Sequence, residues 1–108
     1  MAIKISVSLS RLNIEIAGEI DHHNASALRI EADEAIQMNL CPTVRLDFGG
    51  VTFMDSSGIG FVMGRYRTVE SYGGRLEVVN LSQRVYSMMK LAGIEKIAVI
   101  KMKERIKK

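Results

Sequence analysis

Apolar and polar residues alternate from the start of the chain: Ile3, Ile5 and Val7, then Leu12, Ile14 and Ile16 after a polar break at Ser8 to Arg11. A period of two is that of a half-buried strand, so the pattern predicts two strands joined as a hairpin. Gly18-Glu19-Ile20-Asp21 leaves the second strand, and the spacing then changes to Ala25, Leu28, Ala32, Ala35 and Ile36. That is a helical stripe, with Asp21 as its expected N-cap and His22 and His23 as polar residues of its first turn. Cys41-Pro42 interrupts the chain before a third strand over Thr43 to Phe48. Ile59, Val62, Met63, Tyr66 and Val69 return to helical spacing, and Gly73-Gly74 is the expected stop. A fourth strand is expected over Arg75 to Val79. Ser82 then caps a helix that turns Val85, Met88, Met89 and Leu91 inward and ends at Gly93, before a fifth strand at Ile97 to Ile100.

Strands alternating with helices imply right-handed crossovers, and therefore an α/β fold with a mostly parallel five-stranded sheet, an N-terminal antiparallel hairpin strand and about four helices. Functional residues of such sheets collect in the loops at the carboxyl ends of the strands. Here those loops are Gly18 to Asn24 and Gly49 to Ser57, which the sheet is expected to bring to one rim, with Asp21, His22 and His23 near Asp55, Ser56 and Ser57.

The second of these loops holds the most informative run, Met54-Asp55-Ser56-Ser57-Gly58, where a strand gives way to a helix headed by two serines. A side-chain oxygen there caps free N–H groups, and a phosphate added there meets the positive end of the helix dipole. Capping needs only one of Asp55, Ser56 and Ser57. Gly58, with no side chain, is expected to leave the backbone open to a modifying enzyme. No lysine, histidine or cysteine stands near the serines in sequence to act as a base, which favours a substrate over a catalyst. On the same helix, Phe61, Gly64 and Thr68 fall opposite the apolar stripe. Phe61 is then either an exposed anchor for a partner beside the smooth backbone of Gly60 and Gly64, or a side chain covered by a neighbouring helix.

Charge narrows the functional classes once it is located. The 108 residues carry a net charge of +3, but residues 1–100 hold ten Lys and Arg against eleven Asp and Glu, so the excess belongs to the basic tail, 101–108. The body has no basic bias, so direct nucleic-acid binding is not expected. No apolar run approaches the ~20 residues of a membrane span and no leader pattern opens the chain, so one cytoplasmic domain over residues 1–108 without a membrane role is expected. One cysteine, Cys41, allows neither an internal disulfide nor a multi-thiolate metal site, and adjacent His22 and His23 diverge on any regular element. No metal or cofactor is expected.

The hydrolase reading of serine, histidine and aspartate on one rim fails for want of a Gly-x-Ser-x-Gly elbow, because Met54 and Asp55 stand where the first glycine is needed. Asp47-Phe48-Gly49 matches the kinase metal-binding tripeptide without the glycine loop that must accompany it, and no Gly-x-x-x-x-Gly-Lys loop is present. The residues do not read as an enzyme. A small nucleotide-binding protein is the alternative from another class.

Gly18-Glu19-Ile20-Asp21-His22-His23-Asn24-Ala25, the run Val51 to Tyr66, Gly73-Gly74 and Leu91-Ala92-Gly93-Ile94 together resemble the STAS domain family, in order and over nearly the whole chain. The resemblance implies a partner switch of the kind found in sporulation control. It implies an anti-sigma factor antagonist that, unphosphorylated, binds an anti-sigma factor which is also a serine kinase with its ATP or ADP, and so frees the sigma factor. It further implies that phosphorylation of the second serine, Ser57, ends that binding, and that a phosphatase of the PP2C type restores it. Asp21, Asp55, Ser56, Ser57 and Gly58 are then the docking rim, with Phe61 and Gly64 as outlying contacts. Choosing Ser57 over Ser56 rests on the resemblance, since both hydroxyls are chemically competent. A STAS subunit of a transporter or stress-signalling complex is the alternative within the family.

Overall fold

The computed structural model describes residues 2–104; the basic tail from residue 105 onward lies outside them. Strands β1 (Ala2–Ser8) and β2 (Arg11–Ile20) form the hairpin, and helix α1 (Ala25–Asn39) leads to β3 (Thr43–Met54). Helix α2 (Ser56–Glu70), β4 (Arg75–Leu81), α3 (Gln83–Leu91), a 3₁₀ turn (Ile94–Lys96) and β5 (Val99–Met102) complete the order. The sheet runs β1-β2-β3-β4-β5, antiparallel between β1 and β2 and parallel elsewhere. This is the expected α/β sheet, with three α-helices and the 3₁₀ turn in place of about four helices.

Alternation sets the faces. Leu12, Ile14 and Ile16 of β2, Val44, Leu46 and Phe48 of β3, and Leu76 and Val78 of β4 point to one buried side, where Leu28, Ala32, Ala35 and Ile36 of α1 and Val62 and Val69 of α2 meet them. The residues between them on β3 and β4 stay partly open, and there Arg45 donates from Nε and Nη2 to Glu77 Oε1 at 3.2 and 3.1 Å.

Several details differ from the sequence pattern, and β4 also runs on to Leu81 instead of stopping at Val79. Strand β3 runs to Met54 instead of stopping at Phe48, because β2 continues beside it to Ile20↔Met54 after β4 has stopped pairing at Asp47↔Val79. The Gly49-Gly50 pair, expected to open the loop that runs to Ser57, serves this ladder: a Cβ on Gly50 would stand 2.8 Å from that of Ala17, beside a register shift between Glu15 and Ala17. Strand β5 begins at Val99, since the 3₁₀ turn occupies Ile94–Lys96, and it takes in Lys101 of the basic tail. Leu91, expected inward, ends α3 and is 91% exposed, while Val85 and Met89 are the buried residues of that helix.

Candidate functional site

The long arm formed by β2 and β3 builds the site. Because the two strands end together, the Asp55 N–H donates to the Ile20 carbonyl at 3.2 Å, and the loops that follow leave from one rim. His22 Nδ1 lies 3.9 Å from Asp55 Oδ2. The expected meeting of Asp21-His22-His23 with Asp55-Ser56-Ser57 is present.

Asp21 has a different local task from the one expected. Its Oδ1 accepts from the His23 and Asn24 N–H groups at 2.9 and 3.2 Å, and its carbonyl accepts from Ala25 N at 2.9 Å, so it closes a turn over residues 22–24 that precedes α1. Asn24 occupies the N-cap without a side-chain cap bond, because its amide is engaged with the Asp21 N–H and the Glu19 carbonyl. Within this turn the two imidazoles do not diverge: their centroids are 4.0 Å apart.

At α2 the cap is Asp55, whose Oδ1 accepts from the Ser57 N–H at 2.8 Å. That N–H holds the Asp55 carboxyl below its ordinary value; desolvation opposes the shift, and the Ser57 hydroxyl and His22 reinforce it. With an aspartate in the capping position, Ser56 and Ser57 become the first two residues of the helix. Ser56 is exposed and Ser57 half-buried. The arrangement offers hydroxyls at the positive end of a helix, beside the Asp55 carboxylate.

Gly58 does not present itself to a partner as expected, and of the two readings of Phe61 the covered one holds. Gly58 is buried against the side chain of Met54, and a Cβ there would overlap Met54 Cγ and Sδ. Its missing side chain therefore lets the first turn of α2 seat on the strand below. Phe61 is 3% exposed, because α1 packs beside α2 on the same side of the sheet and covers that flank. The same contact buries Arg65, whose Nη2 donates to Asp33 Oδ2 at 3.2 Å and whose Nε approaches Oδ1 to 2.7 Å without hydrogen-bond alignment. Thr68 Oγ1 joins the cluster at 3.0 Å from Asp33 Oδ1. Gly64 remains on the open side, with no atom within 4 Å of where a Cβ would be, and the same holds for Gly60.

Two residues of the rim lie outside the expected set. Phe53 is 43% exposed two residues before the cap. Arg84, in the first turn of α3, places its guanidinium 5.6 Å from the Phe53 centroid and donates to the Met54 carbonyl at 3.4 Å.

A family model described as "Mlab, STAS domain" matches residues 3–102. The chain belongs to the STAS domain family. Among curated STAS relatives it is similar to the anti-sigma F factor antagonist of Paenibacillus polymyxa, 36% identical over 89 residues that make up 82% of this chain and 76% of the relative. It is also similar to the anti-sigma-B factor antagonist of Bacillus subtilis (strain 168), 31% identical over 85% of this chain and 83% of that protein. Among solved STAS structures, the unphosphorylated anti-sigma factor antagonist SpoIIAA matches 96% of this chain and 90% of its own at a TM-score of 0.72 and 28% identity. The phosphorylated form of the Bacillus cell fate determinant SpoIIAA matches 92% and 90% at 0.71 and 29% identity. No helix of the described residues is long and apolar enough to cross a membrane.

Proposed function

We propose that this STAS domain is a cytoplasmic, non-enzymatic anti-sigma factor antagonist that docks an anti-sigma serine kinase through the rim of Asp21, Asp55, Ser56 and Ser57, and that phosphorylation of Ser57 releases it. The observation that carries this reading is the division of labour at the head of α2. Asp55 supplies the cap, so Ser57 stands in the first helical turn, half-buried and with its N–H on the Asp55 carboxylate. A kinase brings its own nucleotide, magnesium and base, and needs only a hydroxyl on a defined backbone. The names of the relatives and the near-equal likeness to the two phosphorylation states of SpoIIAA support the same reading. A switch whose two forms share one fold acts through surface charge. A PP2C-type phosphatase completes the cycle.

A phosphate adds about −1.5 to −2 charges beside Asp55. Left desolvated and poorly paired in a complex, it opposes binding by roughly 3–5 kcal/mol, between two and four powers of ten in affinity. The test is incubation with ATP and the purified anti-sigma F factor of Paenibacillus polymyxa, followed by peptide-mapped mass spectrometry. Phosphate is expected on Ser57, retained in Ser56→Ala and lost in Ser57→Ala. Undiminished labelling of Ser57→Ala overturns the site.

A further inference from the structure

Arg84 sits where a cation is electrostatically unwelcome. It follows Ser82, the N-cap of α3, by two residues, at the positive end of that helix. Among the described residues no carboxylate pairs with it. Its fixed contacts are the Phe53 ring and the Met54 carbonyl, the backbone group immediately before Asp55. One carbonyl uses a fraction of the five N–H donors of a guanidinium. Phe53 in turn leaves 43% of its surface to solvent, although its backbone is held by the pairing with Glu19 and the next residue, Met54, is fully buried. An aromatic ring and an arginine, each held in place and neither satisfied, are the residue types on which interface energy concentrates.

We propose that Phe53 and Arg84 extend the docking rim as a second contact of opposite sign, the guanidinium receiving a carboxylate of the anti-sigma kinase and the exposed part of the ring an apolar side chain beside it. This rests on the reading of the Asp55 rim as the kinase-facing surface. Acidic residues at Asp21 and Asp55 and a cation at Arg84 form a pattern of mixed sign, which fixes the orientation of a partner where a single-sign surface does not. Because Arg84 is tethered to the Met54 carbonyl, its contribution is to docking and is independent of the phosphate.

The test is calorimetric titration of purified full-length protein with the purified anti-sigma F factor of Paenibacillus polymyxa in ADP. Wild type, Phe53→Ala, Arg84→Ala and Arg84→Gln are compared, with Arg29→Ala as an exposed arginine on α1. Circular dichroism and melting temperature check each fold, and the exposed Arg84→Gln keeps the test decisive if Phe53→Ala unfolds. Each Phe53 or Arg84 variant is expected to weaken binding about tenfold or more, with Arg29→Ala unchanged. The fold-loss caused by Ser57→Asp is expected to be the same whether it is introduced into wild type or into Arg84→Ala. Unchanged affinity of both Arg84 variants, with wild type binding, overturns the extension alone. An Arg84 effect confined to the Ser57→Asp form makes it an internal counter-ion and also overturns it. Failure of wild type to bind overturns the reading of the rim, and the extension with it.

Discussion

Gly58→Ala sets two effects of known sign against each other. Alanine is the better helix former, by up to about 1 kcal/mol in a helix interior and less in the first turn. Against it, the new methyl group would overlap Met54 Cγ and Sδ and lie 3.2 Å from Cε. Carbon atoms prefer separations of about 3.5–4.0 Å, so Met54 must retreat by more than about 1 Å. A methionine adapts easily at its tip, but here the conflict lies near the root of the side chain. The residue is 0% exposed and its carbonyl is held by Arg84, while the next N–H is held by Ile20. Overpacking of this kind costs about 1–3 kcal/mol. The expected net loss is about 1–2 kcal/mol, together with weaker Ser57 labelling as the first turn of α2 tips off the strand.

Urea unfolding followed by circular dichroism measures it, since the chain has no tryptophan. Met54→Ala alone leaves a cavity and is expected to lose about 2–5 kcal/mol. In the double variant the space vacated by Met54 receives the methyl group that Gly58→Ala introduces, so the combined loss falls short of the sum by about 1 kcal/mol or more. Gly58→Ala as stable as wild type, or additivity within about 0.5 kcal/mol, refutes the reasoning.

Asp33→Ala removes the counter-charge of Arg65, which is 3% exposed and whose guanidinium burial already pulls down against the opposing pull of Asp33. Breaking a buried pair costs about 3–5 kcal/mol, and the 29% exposure of the Asp33 side chain places this one near the lower end. Adding Arg65→Met is expected to recover most of the loss in urea titrations; an unrelieved loss speaks against the pair. Asp55, held below its ordinary value in the folded state chiefly by the Ser57 N–H, contributes stability that is complete above its unfolded pKa and is lost as the solution is acidified through the folded one. Urea midpoints of wild type are therefore expected to fall more steeply than those of Asp55→Asn below about pH 4, and parallel profiles contradict the assignment.

What the sequence made legible divides along physical lines. Elements whose pattern is set by one buried face were readable: the β1–β2 alternation, the α1 stripe, and the capped start of α2, each decided within a few neighbouring residues. Phe61 was left between two readings, because α2 is covered twice, by the sheet and by α1, and a stripe one face wide does not say whether a second face is covered. Arg65 hides for the same reason, its partner Asp33 standing 32 residues away. The Gly49-Gly50 pair misleads because a close approach between strands and the start of a loop both select glycine, and only the partner strand tells them apart. Arg84 did leave a signal. A cation in the first turn of a helix runs against the dipole, and that misplacement points to a second interaction which the α3 pattern by itself does not supply.

The same local geometry bears on how a phosphate at Ser57 would be felt. The Ser57 N–H is already directed at Asp55, and the Gly58 N–H returns to the Asp55 carbonyl at 3.0 Å, so the positive end of α2 is occupied by a carboxylate before any modification. The helix dipole offers an added charge about 0.3–1 kcal/mol at an exposed terminus, while the neighbouring Asp55 repels it. The two effects oppose each other within the free domain, and the mark neither drives α2 apart nor is neutralised by it. Its cost is left to fall on the complex, where the partner must desolvate it. On this reasoning Ser57→Asp melts close to wild type while losing most of its affinity for the kinase. A large change in melting temperature with affinity retained would instead place the effect of the charge inside the fold, at the cap.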